Sequence, residues 1–198
     1  MPKQILGLTR RAVLQGAAAA TVAAALPDGA VAAPPAPAPI GDDVGFLSFG
    51  AVAESVLASF YTRAQALGDA WSGGERRLLD AAHDRHRANV DRLNAVLGPD
   101  DAVPLDDFSR RVRVGTRAGA LKVGRELETL VAGVYLNGAG YAADPGTRIL
   151  LARLLAAGHA CEAWLARLAG HPAAGLPAPV DLDTAGLRLD TYLRDPSS

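Results

Sequence analysis

Two glutamates stand in matching sequence contexts and could together neutralise or bind a cation. The segment from Glu54 to Tyr61 aligns with the segment from Glu128 to Tyr135, and each runs from a glutamate through mainly apolar residues to a tyrosine seven positions later. Seven residues are nearly two helical turns, so each glutamate shares one helix face with its tyrosine. A carboxylate on an apolar face is costly unless a donor, a cation or a proton neutralises it. The repeat therefore predicts a shared metal site or a hydrogen-bonded cluster.

The segments that follow these two glutamates repeat more weakly. Counting nine and twelve residues back from the glycines that end them aligns Asn89 with Cys161 and His86 with Gly158. His86 and Asn89 lie in register with an apolar stripe. The stripe consists of Leu78, Ala82, Leu93 and Leu97. We therefore expect both polar side chains to point inward.

Glu54, His86 and Glu128 form the candidate metal-ligand set, and Asn89 and Cys161 occupy neighbouring equivalent positions. This reduced set would hold a single metal ion, and participation of the thiolate would favour zinc or copper. The alternative is a buried polar network, because tyrosine, asparagine and histidine all supply donors to a carboxylate. We favour the network and expect no cofactor, with a single metal ion as the alternative.

Other reactive residues give weaker signals. His159 and Glu162 have i,i+3 spacing, and we expect them to form a surface pair. Cys161 is the one cysteine of the chain, so no internal disulfide can form, and a small buried thiol is its default role. The sequence has no glycine-rich phosphate loop, no Ser-His-Asp order and no Cys-x-x-Cys pair. We therefore predict no catalytic residues, and we favour a protein without enzymatic activity while leaving an enzymatic role open.

Four long helices would position these side chains. Alanine and leucine dominate the composition and aromatic residues are few, which favours helix over sheet. Capping residues such as Asp42, and the capping box from Ser72 to Glu75, indicate where helices begin. Glycines indicate where helices end. The predicted helices cover Val44 to Leu67, Gly74 to Leu97, Gly115 to Tyr141 and Pro145 to Leu168, with a short ordered piece near Ala185 to Leu193. The chain is thus predicted to be all-α.

The lengths of the links predict the order of the helices. The first and third links are short, which favours two antiparallel hairpins. The middle link, from Pro99 to Val114, can reach ~50 Å when extended, whereas a helix of this size is ~33 Å long. It can therefore return along the whole bundle as a long crossover. The alternative is a simple up-down order with a loose middle loop.

Residues 42–170 resemble the ferritin-like di-iron carboxylate proteins. The resemblance implies a four-helix bundle in which the first and third helices each supply a glutamate, and the second and fourth each supply Glu-x-x-His. Glu54 and Glu128 match the single glutamates. The other two motifs are replaced by His86-Arg-Ala-Asn89 and Gly158-His-Ala-Cys161.

The resemblance therefore implies a di-iron site that is largely lost. Two ferric ions need several anionic oxygens, and Glu54 and Glu128 supply only two negative charges. We predict an exported, non-catalytic structural or interaction module of ferritin-like fold. The alternative is an extracytoplasmic metal-binding or redox protein that uses Glu54, His86 and Glu128.

Residues 1–32 resemble a twin-arginine signal peptide. Arg10 and Arg11 precede an apolar run from Ala12 to Leu26, and Ala30-Val31-Ala32 offers an A-x-A cleavage site. The run is shorter than the ~20 residues needed to span a bilayer, so we expect cleavage and no permanent membrane anchor. The alternative is an uncleaved anchor. The segment predicts export to the periplasm or the extracellular space.

The linker, the tail and the net charge limit the kinds of partner that the chain can have. Residues 33–41 form a Pro/Ala-rich linker, and residues 171–198 form a Pro/Gly-rich tail. The formal net charge of the chain is −1, and no basic cluster is evident, which argues against nucleic acid as a partner. Helices rich in alanine and glycine pack closely, so a homodimer is a candidate assembly, and other partners stay unknown.

Overall fold

The computed structural model describes residues 42–104 and 112–193, and these are all-helical, with no strand among them. The helices are α1 (Asp43–Gln65), α2 (Gly73–Leu97), α3 (Arg117–Tyr141), α4 (Pro145–Leu168) and α5 (Leu182–Leu193), with one 3₁₀ turn at Gly68–Ala70. The predicted all-α class is confirmed. The predicted signal peptide and linker lie outside the described residues.

The four long helices begin where a side chain can cap the free backbone N–H groups. Each N-cap side chain accepts a hydrogen bond from the backbone N–H three residues later, and at Ser72 the capping box with Glu75 is complete. The N-cap residues are Asp42, Ser72, Thr116 and Asp144. The third helix begins at Arg117 rather than at the predicted Gly115 because Thr116 takes the N-cap position.

Contacts between α1 and α3 fix the direction of the helices. α1 packs mainly on α2, and α3 packs mainly on α4. Contacts between α1 and α3 join the two pairs. Tyr61 bonds to Glu128 and Tyr135 bonds to Glu54, so the later residue of each helix meets the earlier residue of the other. α1 and α3 therefore run antiparallel. A simple up-down order would instead make them parallel.

The core-facing stripe of α2 differs from the prediction at one end. Leu79 is fully buried, whereas Leu78 is 45% exposed. Leu79 precedes Ala82 and His86 by three and seven residues, which keeps it on their face of the helix. Leu78 lies one step of about 100° away, so its predicted place on the stripe is wrong.

Among residues 42–104 and 112–193, two helices, α1 and α4, are long and apolar enough to cross a membrane by length and composition. In α1 the apolar window is 72% buried inside the helical unit, and in α4 it is 39% buried. The apolar character of α1 is accounted for by its central place in the core.

The segment after α4 folds back across α3 before α5 begins. The N–H of Val180 donates to the carbonyl oxygen of Gly133 (3.0 Å), and the side-chain amide of Asn137 donates to the carbonyl oxygen of Val180 (3.0 Å). In α5, Ala185 and Leu189 are buried and belong to the hydrophobic core. The packed part of the chain therefore extends past α4 to α5.

The close approach at Gly133 leads to a stability prediction. A Cβ atom at this position would lie 2.7 Å from the carbonyl oxygen of Ala178 and 2.7 Å from the side chain of Val180. We expect Gly133→Val to lower the free energy of unfolding by about 1–3 kcal/mol in urea denaturation, because it overpacks a fixed backbone contact. Gly140→Ala on the same helix is the control, since no atom lies within 4 Å of a Cβ there. Equal stability of the two variants would contradict the prediction.

Candidate functional site

The four long helices bring five polar or reactive side chains into one buried cluster. Glu54 comes from α1, His86 and Asn89 from α2, Glu128 from α3 and Cys161 from α4. Each is 2% exposed or less. Helical periodicity places them there, because each lies in the apolar, core-facing stripe of its helix. We call these five residues, with Tyr61 and Tyr135, the core network.

The imidazole of His86 bridges the two buried carboxylates. Its Nδ1 lies 2.6 Å from Oε2 of Glu54, and its Nε2 lies 3.1 Å from Oε1 of Glu128. An ionised carboxylate can only accept hydrogen bonds, so both ring nitrogens act as donors when both acids are charged. The geometry is that of an imidazolium held between two carboxylates.

Electrostatics favour the charged form of this histidine. Burial by itself lowers the pKa of His86, but the negative charges of Glu128 and Glu54 outweigh burial and hold the pKa well above its ordinary value of 6.5. The ring is therefore cationic at neutral pH. One positive charge then faces two buried carboxylates.

Two tyrosines pair with the carboxylates reciprocally. The hydroxyl of Tyr61 donates to Oε1 of Glu128 (2.6 Å), and the hydroxyl of Tyr135 donates to Oε1 of Glu54 (2.7 Å). Burial, and then the nearby carboxylate charges, raise the pKa of each phenol well above 10, so both remain donors. The tyrosine of each repeat therefore bonds to the glutamate of the other repeat.

Asn89 completes the surroundings of Glu54. Its side-chain amide donates to Oε2 of Glu54 (3.1 Å), while Nη1 of Arg92 donates to the amide oxygen of Asn89 (2.7 Å). The arginine fixes which way the amide points. Both oxygens of Glu54 therefore have hydrogen-bond partners.

Glu128 is less completely satisfied. Within residues 42–104 and 112–193, its Oε2 is the one buried side-chain nitrogen or oxygen atom without a hydrogen-bond partner. A Cβ atom built on Gly158 would lie 3.3 Å from this oxygen. Gly158 occupies the position at which the ferritin-like resemblance implies a glutamate. A buried carboxylate oxygen without a partner costs free energy, and a hydrogen-bond donor or a cation beside it would remove that cost.

Cys161 lies beside the same carboxylate. Its Sγ accepts a hydrogen bond from Nη1 of Arg85 at 3.1 Å. Ligand atoms of His86, Glu128 and Cys161 all lie within 4.8 Å of one another, so this buried group could hold one metal ion. A nitrogen, an oxygen and a sulfur ligand suit zinc or copper.

This group differs from the predicted ligand set by one residue. Glu54 lies against Nδ1 of His86, whereas Glu128 lies against Nε2. The two nitrogens point in different directions from one ring, so Glu54 would orient the histidine of such a site rather than share its ion. Cys161 takes the third ligand position because α4 brings its Sγ within 4.8 Å of ligand atoms of His86 and Glu128. Sequence reasoning did not identify Arg85, which lies beside this thiol.

The predicted surface pair of His159 and Glu162 is wrong. Glu162 is 2% exposed and accepts hydrogen bonds from Nε of Arg125 (3.0 Å) and the backbone N–H of Ala174 (3.3 Å). The segment after α4 covers this flank of the helix and buries the acid. The periodicity of α4 alone could not indicate that cover.

Placing a hydrogen-bond donor next to Oε2 of Glu128 tests whether this oxygen lacks a partner. We expect Gly158→Ser to be more stable than Gly158→Ala by about 1–3 kcal/mol in urea denaturation, because the serine hydroxyl can bond to Oε2. Alanine is the control; it is the better helix former of the two, so propensity alone would make serine the less stable variant. If serine gives no advantage, another group already satisfies the oxygen.

Comparisons of the chain with protein-family models, with curated proteins and with solved structures found no match. The function proposed below therefore depends on the geometry of the core network.

Proposed function

We propose that this chain is an exported ferritin-like four-helix bundle in which a protonated histidine replaces the metal centre, and that it acts as a non-catalytic structural or interaction module. The observation that carries the proposal is the position of His86, which lies within hydrogen-bonding distance of both Glu54 and Glu128. The positive charge that a cation would supply between the acids comes from the imidazolium.

The helix order supports the ferritin-like part of the proposal. Two hairpins joined by a long crossover make the first and third helices antiparallel, as α1 and α3 are. The two single glutamates, Glu54 and Glu128, also lie on these two helices.

A di-iron centre does not fit the residues present. The ferritin-like pattern places carboxylate and histidine ligands where this chain has Asn89, Gly158 and Cys161. The further buried acid, Glu162, is paired with Arg125 and lies outside the core network. The remaining two carboxylates cannot balance two ferric ions.

A single-ion site is the second candidate, and the unpaired Oε2 of Glu128 favours it. His86, Glu128 and Cys161 would hold the ion, and Oε2 of Glu128 has no other partner among the described residues. A metal bound there would act as a Lewis acid or, if copper, as an electron carrier. Glu54 would keep its bond to Nδ1 and hold the ring in place.

One experiment separates the two candidates. Protein purified from its native compartment is analysed for metals, and the ring nitrogens of His86 are observed by nitrogen NMR. The proposal expects substoichiometric metal and protons on both ring nitrogens. Stoichiometric zinc or copper that is lost in Cys161→Ala, with one ring nitrogen free of hydrogen, would establish the single-ion site instead. Cys161→Ala leaves His86, Glu54 and Glu128 intact, so it tests the ligand and not the whole network.

Export is tested separately through residues 1–32. We expect the twin-arginine signal to be removed after Ala32 and the mature chain to be periplasmic or extracellular. Replacing Arg10 and Arg11 with lysine should retain the chain in the cytoplasm. Amino-terminal sequencing of the exported protein gives the cleavage point, and a start at Met1 would contradict this part of the proposal.

A further inference from the structure

A surface groove lies apart from the core network, where the first half of α3, the end of α4 and α5 meet. Its volume is about 620 Å³, within the range of roughly 300–1,000 Å³ found for small-molecule clefts. No residue of the core network lines it. The groove is therefore separate from the candidate metal ligands.

The lining of the groove is strongly basic. Arg117, Lys122 and Arg125 come from α3 and Arg188 comes from α5, whereas Glu126 is the one carboxylate among the lining residues. The formal net charge of the whole chain is −1, so the groove reverses the sign of the surface locally. The sequence gives no sign of this cluster, because folding is needed to bring Arg188 next to α3.

Two of the arginines are held in fixed positions. Nη2 of Arg117 donates to Glu75 (2.6 Å), and Nε of Arg125 donates to Glu162 (3.0 Å). The Arg117 guanidinium, together with Ser72, lowers the pKa of Glu75 to about 2. A guanidinium has five N–H donors, so each arginine retains donors beyond the one used in its ion pair. Anchored arginines recognise anionic oxygens at a low entropic cost.

The other two cations have no ion-pair partner in the part of the chain that the structure describes. They are Lys122 and Arg188, and both are exposed. The carboxylate of Glu126 accepts a hydrogen bond from the hydroxyl of Tyr192 (3.1 Å). The groove therefore presents unpaired positive charge.

The groove also has an apolar wall. Leu121 and Ala118 of α3 face Leu168 and Ala169 at the end of α4 among the lining residues. We propose that the groove binds a small organic anion with an apolar body, such as an organic phosphate or carboxylate. The cations bind the charged group, and the leucines and alanines contact the apolar body.

The test uses phenyl phosphate as the probe, with inorganic phosphate and benzyl alcohol as its charged and apolar fragments. Titration calorimetry and amide NMR of the full chain measure binding. We expect phenyl phosphate to bind at least about tenfold more tightly than either fragment and to shift amides of α3 and α5. The double variant K122E/R188E should weaken binding at least about tenfold, while R153E should leave it unchanged. Arg153 is an exposed residue of α4 outside the groove.

Several outcomes would overturn the proposal. Phenyl phosphate could fail to bind at millimolar concentration, or K122E/R188E and R153E could bind it equally well. Binding only to vesicles that contain phosphatidylglycerol, with no binding of the soluble probe, would instead identify a membrane-facing surface. Lys122 and Arg188 are exposed, so the double variant should melt at the same temperature as R153E, and that measurement verifies that it folds.

Discussion

Replacing His86 with leucine is expected to lower the free energy of unfolding by about 3–5 kcal/mol at pH 7. The substitution removes the cation that lies between Glu54 and Glu128 and leaves two carboxylates, each 2% exposed or less, without a charge partner. Tyrosine and asparagine donors remain, but neutral hydrogen bonds offset only part of the desolvation of two charges.

Urea denaturation of the purified variant measures this loss. The control is His83→Leu on the same helix, because the one ion pair of His83 with a described residue is with the exposed Asp84. We expect the control to lose less than about 1 kcal/mol. A similarly small loss for His86→Leu would mean that the two acids are neutralised in some other way.

A rescue experiment separates lost charge from lost packing. Adding Glu54→Gln and Glu128→Gln to His86→Leu removes both unpaired charges while keeping side chains of similar size. We expect the triple variant to recover part of the lost stability, with a coupling energy of about 0.5–3 kcal/mol between the sites. If His86→Leu destabilises only by leaving a poorly packed ring site, the added amides will give no recovery.

The elements that carry the core network could be predicted because they depend on local rules. Helical periodicity puts Glu54 and Tyr61 on one face, and Glu128 and Tyr135 on another, without knowledge of any neighbour. The Ser72 capping box and the glycines that follow α2 and α4 are likewise local signals. These features agree with the structure because nothing in the fold opposes them.

Features that depend on how the helices meet could not be predicted in the same way. The pairing of Tyr61 with Glu128 requires α1 and α3 to be antiparallel, which the link lengths favoured but left open. Burial of Glu162 depends on a segment that follows α4 and covers it. The exchange of Glu54 for Cys161 in the candidate ligand group depends on how closely α4 brings Cys161 to His86 and Glu128.

The direction in which the free energy of unfolding changes with pH distinguishes a network with protonated His86 from a metal site. The groups that face His86 are Glu54 and Tyr61 from α1, Glu128 from α3 and Cys161 from α4. The carboxylates hold the pKa of His86 well above 6.5 in the folded chain. In the unfolded chain the same histidine loses its proton near pH 6.5.

Stability should therefore fall as the pH rises above about 6.5. Below that pH both states carry the proton, and the contribution of His86 is fully present. Above it the folded state binds one more proton than the unfolded state, so the free energy of unfolding drops by about 1.4 kcal/mol per pH unit until the folded pKa is reached. The raised pKa values of Tyr61 and Tyr135 continue the same trend at more alkaline pH.

Urea denaturation between pH 6 and pH 9, in the presence of a chelator, measures this slope. We expect His86→Leu to lose the contribution of the histidine over that range, so the difference between the two chains isolates it. Metal ligands must be deprotonated to bind, so a metal-loaded site would become more stable with rising pH in chelator-free buffer. A rising curve for the natural chain would overturn the network bridged by an imidazolium, because the charge of His86 stabilises the fold only while the ring keeps its added proton.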